Sequence, residues 1–488
     1  MKDIRLSFLL AFPLFIFLGA CGSGEEDIGK ILFREFRNPA LKEITPAVVA
    51  PELEKVLNGR KMKYGDLVLD YYRKKQYAPV LLKAHLADGG AEALLERLER
   101  AGEHGLDSNL FQPDRLRRLA DSLKNKDAIS TAGEAIPVIA QLESEFAAAL
   151  AAYGLAMQYG YTDPVETFPR YYIETERPDS ASLTRLYESD DLDALLDSIQ
   201  PSGREYKTMQ AALPKGPASD TGQAEQRQAL VANLERLRWK NKPGEEKYVL
   251  VNIPDFRLHV MEKGKPVLNM KVCVGEPARR WQTPQLNSLI ERAQVNPIWH
   301  IPKSIASNEI IQKAAADPYY LENANIDVYE NGEKVEDSRK IKWKRVPDGE
   351  MPYSFKQRPG SQNALGKIKF LFENQSSVYL HDTPAKAAFD RENRAVSHGC
   401  VRVEKPLELA EALFGPGGNF ELIKTEMGKD QPKAQNVELS QPVPVYLTYA
   451  TCWVDENNTL QYRPDVYGLD SILLTRLQAS EKSLQTAR

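Results

Sequence analysis

Two neighbouring stretches, Tyr379-Leu380-His381-Asp382-Thr383-Pro384 and Ser397-His398-Gly399-Cys400-Val401-Arg402, decide how this chain is read. Together they hold two of its 6 histidines and one of its 4 cysteines, although the chain has 488 residues. In Ser377–His381, alternation turns Val378 and Leu380 to one face and Tyr379 and His381 to the other. The apolar pair suits a core, so Tyr379 and His381 are expected to face a cleft. If Ser397–Val403 is extended, the same count puts His398, Cys400 and Arg402 on one side, with Gly399 permitting a bend.

A thiol attacks a carbonyl as the thiolate, and a free cysteine has a pKa of about 8.5, so a base or nearby positive charge must assist. Cys400 is the expected nucleophile and His381 its base; the 19 residues between them allow a loop that returns to the same place. Gly399 removes a side chain where a substrate carbonyl must approach. Backbone N–H groups near Gly399 and Cys400 are expected to hold the oxyanion. Tyr379 offers a further hydroxyl donor, His398 a means of orienting the thiol loop, and Arg402 a charge that favours the thiolate or binds a substrate carboxylate. Taken alone, Cys400 would more often be a buried structural thiol and His381 a satisfied structural imidazole; their joint occurrence favours catalysis. His381, Asp382, His398 and Cys400 also offer metal-ligand chemistry, but no CxxC or HExxH spacing supports it. No metal and no cofactor are expected.

The N-terminus reads as a targeting segment. Lys2 and Arg5 precede an apolar run from Phe8 to Ala20 interrupted by Pro13. That run is shorter than the roughly 20 residues a membrane span requires, and it has the pattern of a secretory signal over residues 1–20. Leu18-Gly19-Ala20-Cys21 resembles the bacterial lipobox, after which Cys21 would be lipidated. Gly22-Ser23 resembles the start of lipoproteins sent to the outer membrane. The expected location is therefore the periplasm of a Gram-negative bacterium, with a lipid anchor in the outer membrane. Export permits disulfides; for Cys273 and Cys452, two separate buried thiols are favoured over a pair. A net charge of −4 implies no nucleic-acid partner.

The rest divides by period. Residues 21–45 read as a tether. Residues 46–240 read as helical: Leu94, Leu95 and Leu98 mark one helix, and Ile139, Leu142, Phe146, Leu150, Tyr153 and Met157 another. Leu230, Leu234 and Leu237 mark a last helix, after a linker at Pro214–Gln223. At Lys247 the period becomes two, with strands expected at Tyr248–Ile253, Phe256–Met261 and Val267–Val274. The last of these puts Cys273 opposite the most apolar row. Residues 302–360 read as an insertion, helical at Ser304–Ala316 and then polar. Strands resume at Lys367–Phe372 and Ser377–His381, a short helix follows at Pro406–Phe414, and Val443–Trp453 is a late strand. The fold class is α+β: a mostly helical N-terminal domain, a β-rich domain over 246–473, and a polar tail at 474–488.

His381 with Ser397-His398-Gly399-Cys400-Val401-Arg402 resembles the signature of the L,D-transpeptidase (YkuD-like) catalytic domain. Val251-Asn252-Ile253-Pro254, Val274-Gly275, Thr283-Pro284, Asn296-Pro297-Ile298-Trp299, Pro359-Gly360, Asn363-Ala364-Leu365-Gly366 and Lys369-Phe370 extend the resemblance to the family's large periplasmic branch. The helical half, with Ala101–Leu110, resembles that branch's scaffold domain, and residues 302–360 its capping subdomain. The resemblance implies that Cys400 attacks the third residue of a peptidoglycan stem peptide and releases terminal D-alanine. The acyl group then passes to a second stem as a 3→3 cross-link, and carbapenems acylate Cys400. Asn296, Trp299 and Arg402 are expected to bind substrate. The same acyl-enzyme passed to water or to a lipoprotein lysine would make a hydrolase or an anchoring enzyme; an inactive site would leave a wall-bound structural lipoprotein. The span Tyr206–Leu237 is too short for the peptidoglycan-binding module of the larger relatives.

Overall fold

The computed structural model describes residues 27–214, 220–241, 243–346 and 351–485, with side chains to Gln478 in the last helix. The signal sequence expected over residues 1–20, and Cys21, lie outside the described residues. The chain forms two compact units. One gathers residues up to Arg60 with Leu69–Ala93 and Asp114–Ala147; the other holds Lys61–Val68, Leu94–Pro113 and everything from Ala148. The division falls inside the helical half, not at the change of period near residue 246.

The first unit corrects the tether expected at 21–45. Helix α1, Ile28–Phe36, is capped by Asp27 and buries Ile28, Ile31, Leu32 and Phe36. That 3–4 spacing is an amphipathic stripe. A buried polar centre of the same unit is Glu143, on the 28-residue helix α2, Ala132–Tyr159. The buried Glu143 carboxyl accepts hydrogen bonds from the Tyr72 hydroxyl at 2.6 Å and from the Leu81 and Leu82 N–H groups at 2.8 Å.

In the second unit, helix α3, Thr221–Arg238, opens with the Asp220 cap. The linker expected at Pro214–Gln223 is therefore shorter than read. Buried Asn233 bonds Thr451 at 2.7 Å and Arg236 bonds Asp470 at 2.6 Å. These contacts tie α3 to the β-rich domain and to helix α4, Leu469–Gln485. The tail expected from residue 474 thus begins within a helix, and Leu477 is buried.

Eight strands close into a barrel: β1 Lys247–Asn252, β2 Arg257–Glu262, β3 Lys265–Gly275, β4 Gln285–Val295, β5 Ile368–Phe372, β6 Leu380–His381, β7 Val401–Val403 and β8 Gln435–Thr448. Their order is β4-β5-β6-β7-β3-β2-β1-β8, and β8 returns to pair with β4. Pairs β6–β7 and β1–β8 are parallel. Val251, Val260, Val272, Ile290, Phe370, Leu380, Val401 and Leu447 fill the interior.

Residues 299–357 form a cap with its own core of Ile305, Ile310, Val328, Trp343 and Phe355. From the sequence, the polar part of this insertion is assigned no secondary structure. Instead a four-stranded sheet is built from Trp299–Ile301, Tyr353–Gln357, Ile326–Glu330 and Glu333–Lys334.

Candidate active site

Register places a row of four side chains across neighbouring strands. Lys369 on β5 is opposite His381 on β6, His381 opposite Arg402 on β7, and Arg402 opposite Cys273 on β3. In-register neighbours share a face, while Phe370, Leu380, Val401 and Val272 beside them point into the barrel. Tyr379 and Cys400 continue the row's face by one step, and the Val401 N–H bonds the Tyr379 carbonyl at 3.1 Å. Val378 and Leu380 turn into the core as the alternation at 378–381 requires, but regular strand is confined to Leu380–His381, shorter than the Ser377–His381 expected.

His381 is buried, and its Nδ1–H donates to the Asp382 carbonyl at 2.5 Å. That bond fixes the tautomer and leaves a lone pair on Nε2. The Asp382 carboxylate is occupied elsewhere: it accepts from the Lys367 N–H at 2.8 Å, and from the Thr383 N–H and Lys386 Nζ at 2.7 Å. A carbonyl, not a carboxylate, orients the imidazole. Burial, with Arg402 and Lys369 nearby, pushes the His381 pKa down to about 3.

Cys400 is partly exposed, with its thiol pushed up to about 11 by desolvation. Four neighbours oppose that rise: the Tyr379 N–H and hydroxyl, both donated to the sulfur, and the charges of Arg402 and Lys369. The Tyr379 hydroxyl accepts in turn from the Trp299 indole. The Tyr379 ring lies 5.6 Å from that of His381, centroid to centroid, and Lys369 Nζ lies 5.4 Å from the same tyrosine ring. Tyr379 therefore touches both thiol and imidazole.

The loop before Cys400 is tightly held. Gly399 has φ +114°, a region L side chains rarely adopt. Its carbonyl accepts from Thr283 Oγ1 at 2.9 Å, and Thr283 Oγ1 also receives the Gly275 N–H at 2.8 Å. The Gly399 N–H, expected to hold an oxyanion, donates to Ser397 Oγ at 3.1 Å, and the Ser397 hydroxyl donates to the Cys400 carbonyl at 2.6 Å. A donor already spent inside its own turn is not available to substrate.

His398 points away to the cap. Its Nε2 lies 2.5 Å from Glu309 Oε1. Its ring meets Trp281 edge-on, 4.5 Å between centroids. Asn296, expected to bind substrate, is instead buried; its side chain donates to the Glu426 carbonyl at 2.9 Å and its N–H to Lys367 at 2.7 Å. Trp299 and Arg402 do reach the site. Cys273 and Cys452 are separate buried free thiols. Among the described residues, no cluster of metal-ligand type is present. Sequence reasoning missed Trp281 and Glu309, and gave Lys369 no role. Lys369 had a signal in the alternation Ile368-Lys369-Phe370; Glu309 had none, because its partner lies 89 residues away.

The closed barrel and its cap bring a thiol, an imidazole, a phenol and two cationic side chains onto one face. In comparison with known families, residues 246–414 match the L,D-transpeptidase catalytic domain, YkuD, and residues 66–213 match the Scaffold domain. The matched catalytic stretch follows the matched Scaffold stretch in sequence. The chain is similar to a protein of Haemophilus influenzae (strain ATCC 51907 / DSM 11121 / KW20 / Rd) described as "Putative L,D-transpeptidase", 33% identical over 305 residues. The match spans 61% of this chain and 60% of that relative's length. Among solved structures, the "Ldtfm-avibactam carbamoyl enzyme" is 14% identical over 42% of this chain and 50% of that one, with a TM-score of 0.20. An overlap that low carries no weight.

Proposed function

We propose that the chain is a peptidoglycan L,D-transpeptidase that works through a cysteine acyl-enzyme and forms 3→3 cross-links between stem peptides. The observation that carries this is the shared face of β6 and β7. There the His381 imidazole and the Cys400 thiol both meet Tyr379, within the matched catalytic stretch.

The resting pair is neutral, because burial holds the Cys400 proton on sulfur and keeps protons off His381. As the sulfur attacks the donor stem's carbonyl, its proton moves to His381 Nε2. The C–S bond forms as the C–N bond to terminal D-alanine breaks, and His381 returns the proton to the leaving amine. The acceptor stem's amine then attacks the thioester and gives its proton to His381, and the thiol is released. With Gly399 engaged by Ser397, the Cys400 N–H is the backbone donor left for the oxyanion; among the described residues it has no acceptor. Trp299 and Arg402 line the approach and contact the stem. Lipidation at Cys21, and with it an outer-membrane tether in the periplasm, rests on Leu18-Gly19-Ala20-Cys21. A radiolabelled fatty acid that is not incorporated, or is incorporated equally into Cys21→Ala, excludes it.

The test of activity is incubation with tetrapeptide muropeptides. Cross-linked dimers with free D-alanine support the proposal. Tripeptide monomers alone mean that water is the acceptor, and no change means that the site is inactive. Cys400→Ala should abolish product, and His381→Ala should slow acylation by about 10²–10⁴-fold.

A further inference from the structure

The cap reaches the thiol loop through one side chain. Its first helix runs from Lys303, widens into a π turn over Ala306–Ile310, and returns to α geometry over Ile311–Ala316. Such single π turns recur at functional positions. Ile305, Ala306, Ile310 and Ala314 are buried in the cap core. Glu309, between them in sequence, faces away from that core and meets His398 Nε2 at 2.5 Å. Its other oxygen lies 3.9 Å from Lys313 Nζ. Because a carboxylate only accepts, His398 carries its proton on Nε2 in this arrangement, so that nitrogen cannot also deprotonate Cys400. The imidazole also meets Trp281 edge-on, and Trp281 packs against the cap core. Two residues further along lies Cys400, on a turn already tied down by Thr283 and Ser397.

We infer that Glu309 is a positioning residue for the Cys400 nucleophile: its bond to His398 couples seating of the cap to placement of the thiol. This rests on the transpeptidase reading for its consequence, but not for its geometry. Both side chains are partly solvent-exposed, and exposed pairs contribute little to stability. The expected signature is therefore a change in rate without a matching change in melting temperature.

The experiment uses the full chain with Glu309→Ala, Glu309→Gln, His398→Ala and the Glu309→Ala/His398→Ala double variant. Carbapenem acylation is followed by intact mass, and hydrogen exchange is followed over residues 303–316 and 395–402. Glu309→Ala should slow acylation about tenfold or more, as small displacements of a reacting group do. Glu309→Gln keeps an acceptor oxygen and should lose less. The double variant should be no slower than the slower single, because both remove one contact. Melting should stay within about 2 °C of wild type, while exchange rises together in both segments. Acylation of Glu309→Ala within about twofold of wild type, or single losses that multiply in the double variant, overturns the inference. If the unaltered protein is not acylated at all, the functional reading falls separately. Exchange then decides alone: residues 395–402 unmoved in Glu309→Ala overturns the coupling.

Discussion

Tyr379 donates to the sulfur of Cys400 twice, through its backbone N–H and through its phenol. The phenol can aim its proton at sulfur because the Trp299 indole supplies the bond it accepts. A cap residue, a barrel residue and the nucleophile thus form one hydrogen-bonded chain. Tyr379→Phe removes the middle link and part of what offsets the desolvated thiol. The thiol pKa should rise further, and acylation by a carbapenem should fall about tenfold, the value of one charge-assisted hydrogen bond. An unchanged rate would show that the phenol does not act on the sulfur.

A neutral resting pair makes a distinct prediction for pH. With the thiol near 11, the thiolate fraction grows about tenfold per pH unit below that value. Alkylation of Cys400 by iodoacetamide should climb steadily from pH 7 to 10 without a plateau. Acylation that uses His381 as base should be nearly flat over the same span, because His381 titrates near 3. A plateau in alkylation near neutrality would instead reveal a preformed thiolate–imidazolium pair.

Gly275 has no room for a side chain. A Cβ there would lie 1.8 Å from the Trp281 carbonyl and 2.7 Å from the Thr283 N–H. Gly275→Ala should push that loop away and break the Thr283 bridge to Gly399. Acylation should fall by about 10²-fold, the cost of misplacing a reacting group, with melting also lowered. Gly264, with open space around it, is the control, although its own φ of +76° strains any replacement.

Glu143 gives a prediction for the first unit. Burial raises its pKa to about 7 from an ordinary 4.5. The folded state therefore holds a proton that the unfolded chain releases. That contribution is full below about 4.5 and is lost as pH rises through 7. Glu143→Ala removes the acceptor of three hydrogen bonds and should cost about 3 kcal/mol in chemical denaturation. The gap between wild type and variant should narrow from pH 5 to pH 8; a gap that widens reverses the assignment.

The sequence showed the site more clearly than the frame that holds it. Strands β2 and β5 alternate cleanly, and the row containing His381 and Arg402 follows from the same period of two on β6 and β7. Strand β4 escaped notice. Its fully buried residues include Leu286, Ile290, Ala293 and Val295, and their spacing of four, three and two is closer to a helix than to a strand. The cause is a register shift in both of its pairings, against β5 and against β8. Helix α1 was missed because its stripe is short and follows an apolar, N-terminal run that drew the reading away from fold. The role given to Gly399 failed for a local reason: the hydroxyl of Ser397 reaches its N–H first. Asn296 failed because a positive φ of +50° turns it into a corner of the chain.

Closure of the barrel has a consequence beyond the site. Strand β8 satisfies β1 on one side and β4 on the other, so the ring has no first or last member. Loose sheet margins recruit strands from neighbouring copies. Among the described residues the ring gives such a neighbour little purchase, and open margins lie instead in the small cap sheet, which is where a strand from another copy would pair.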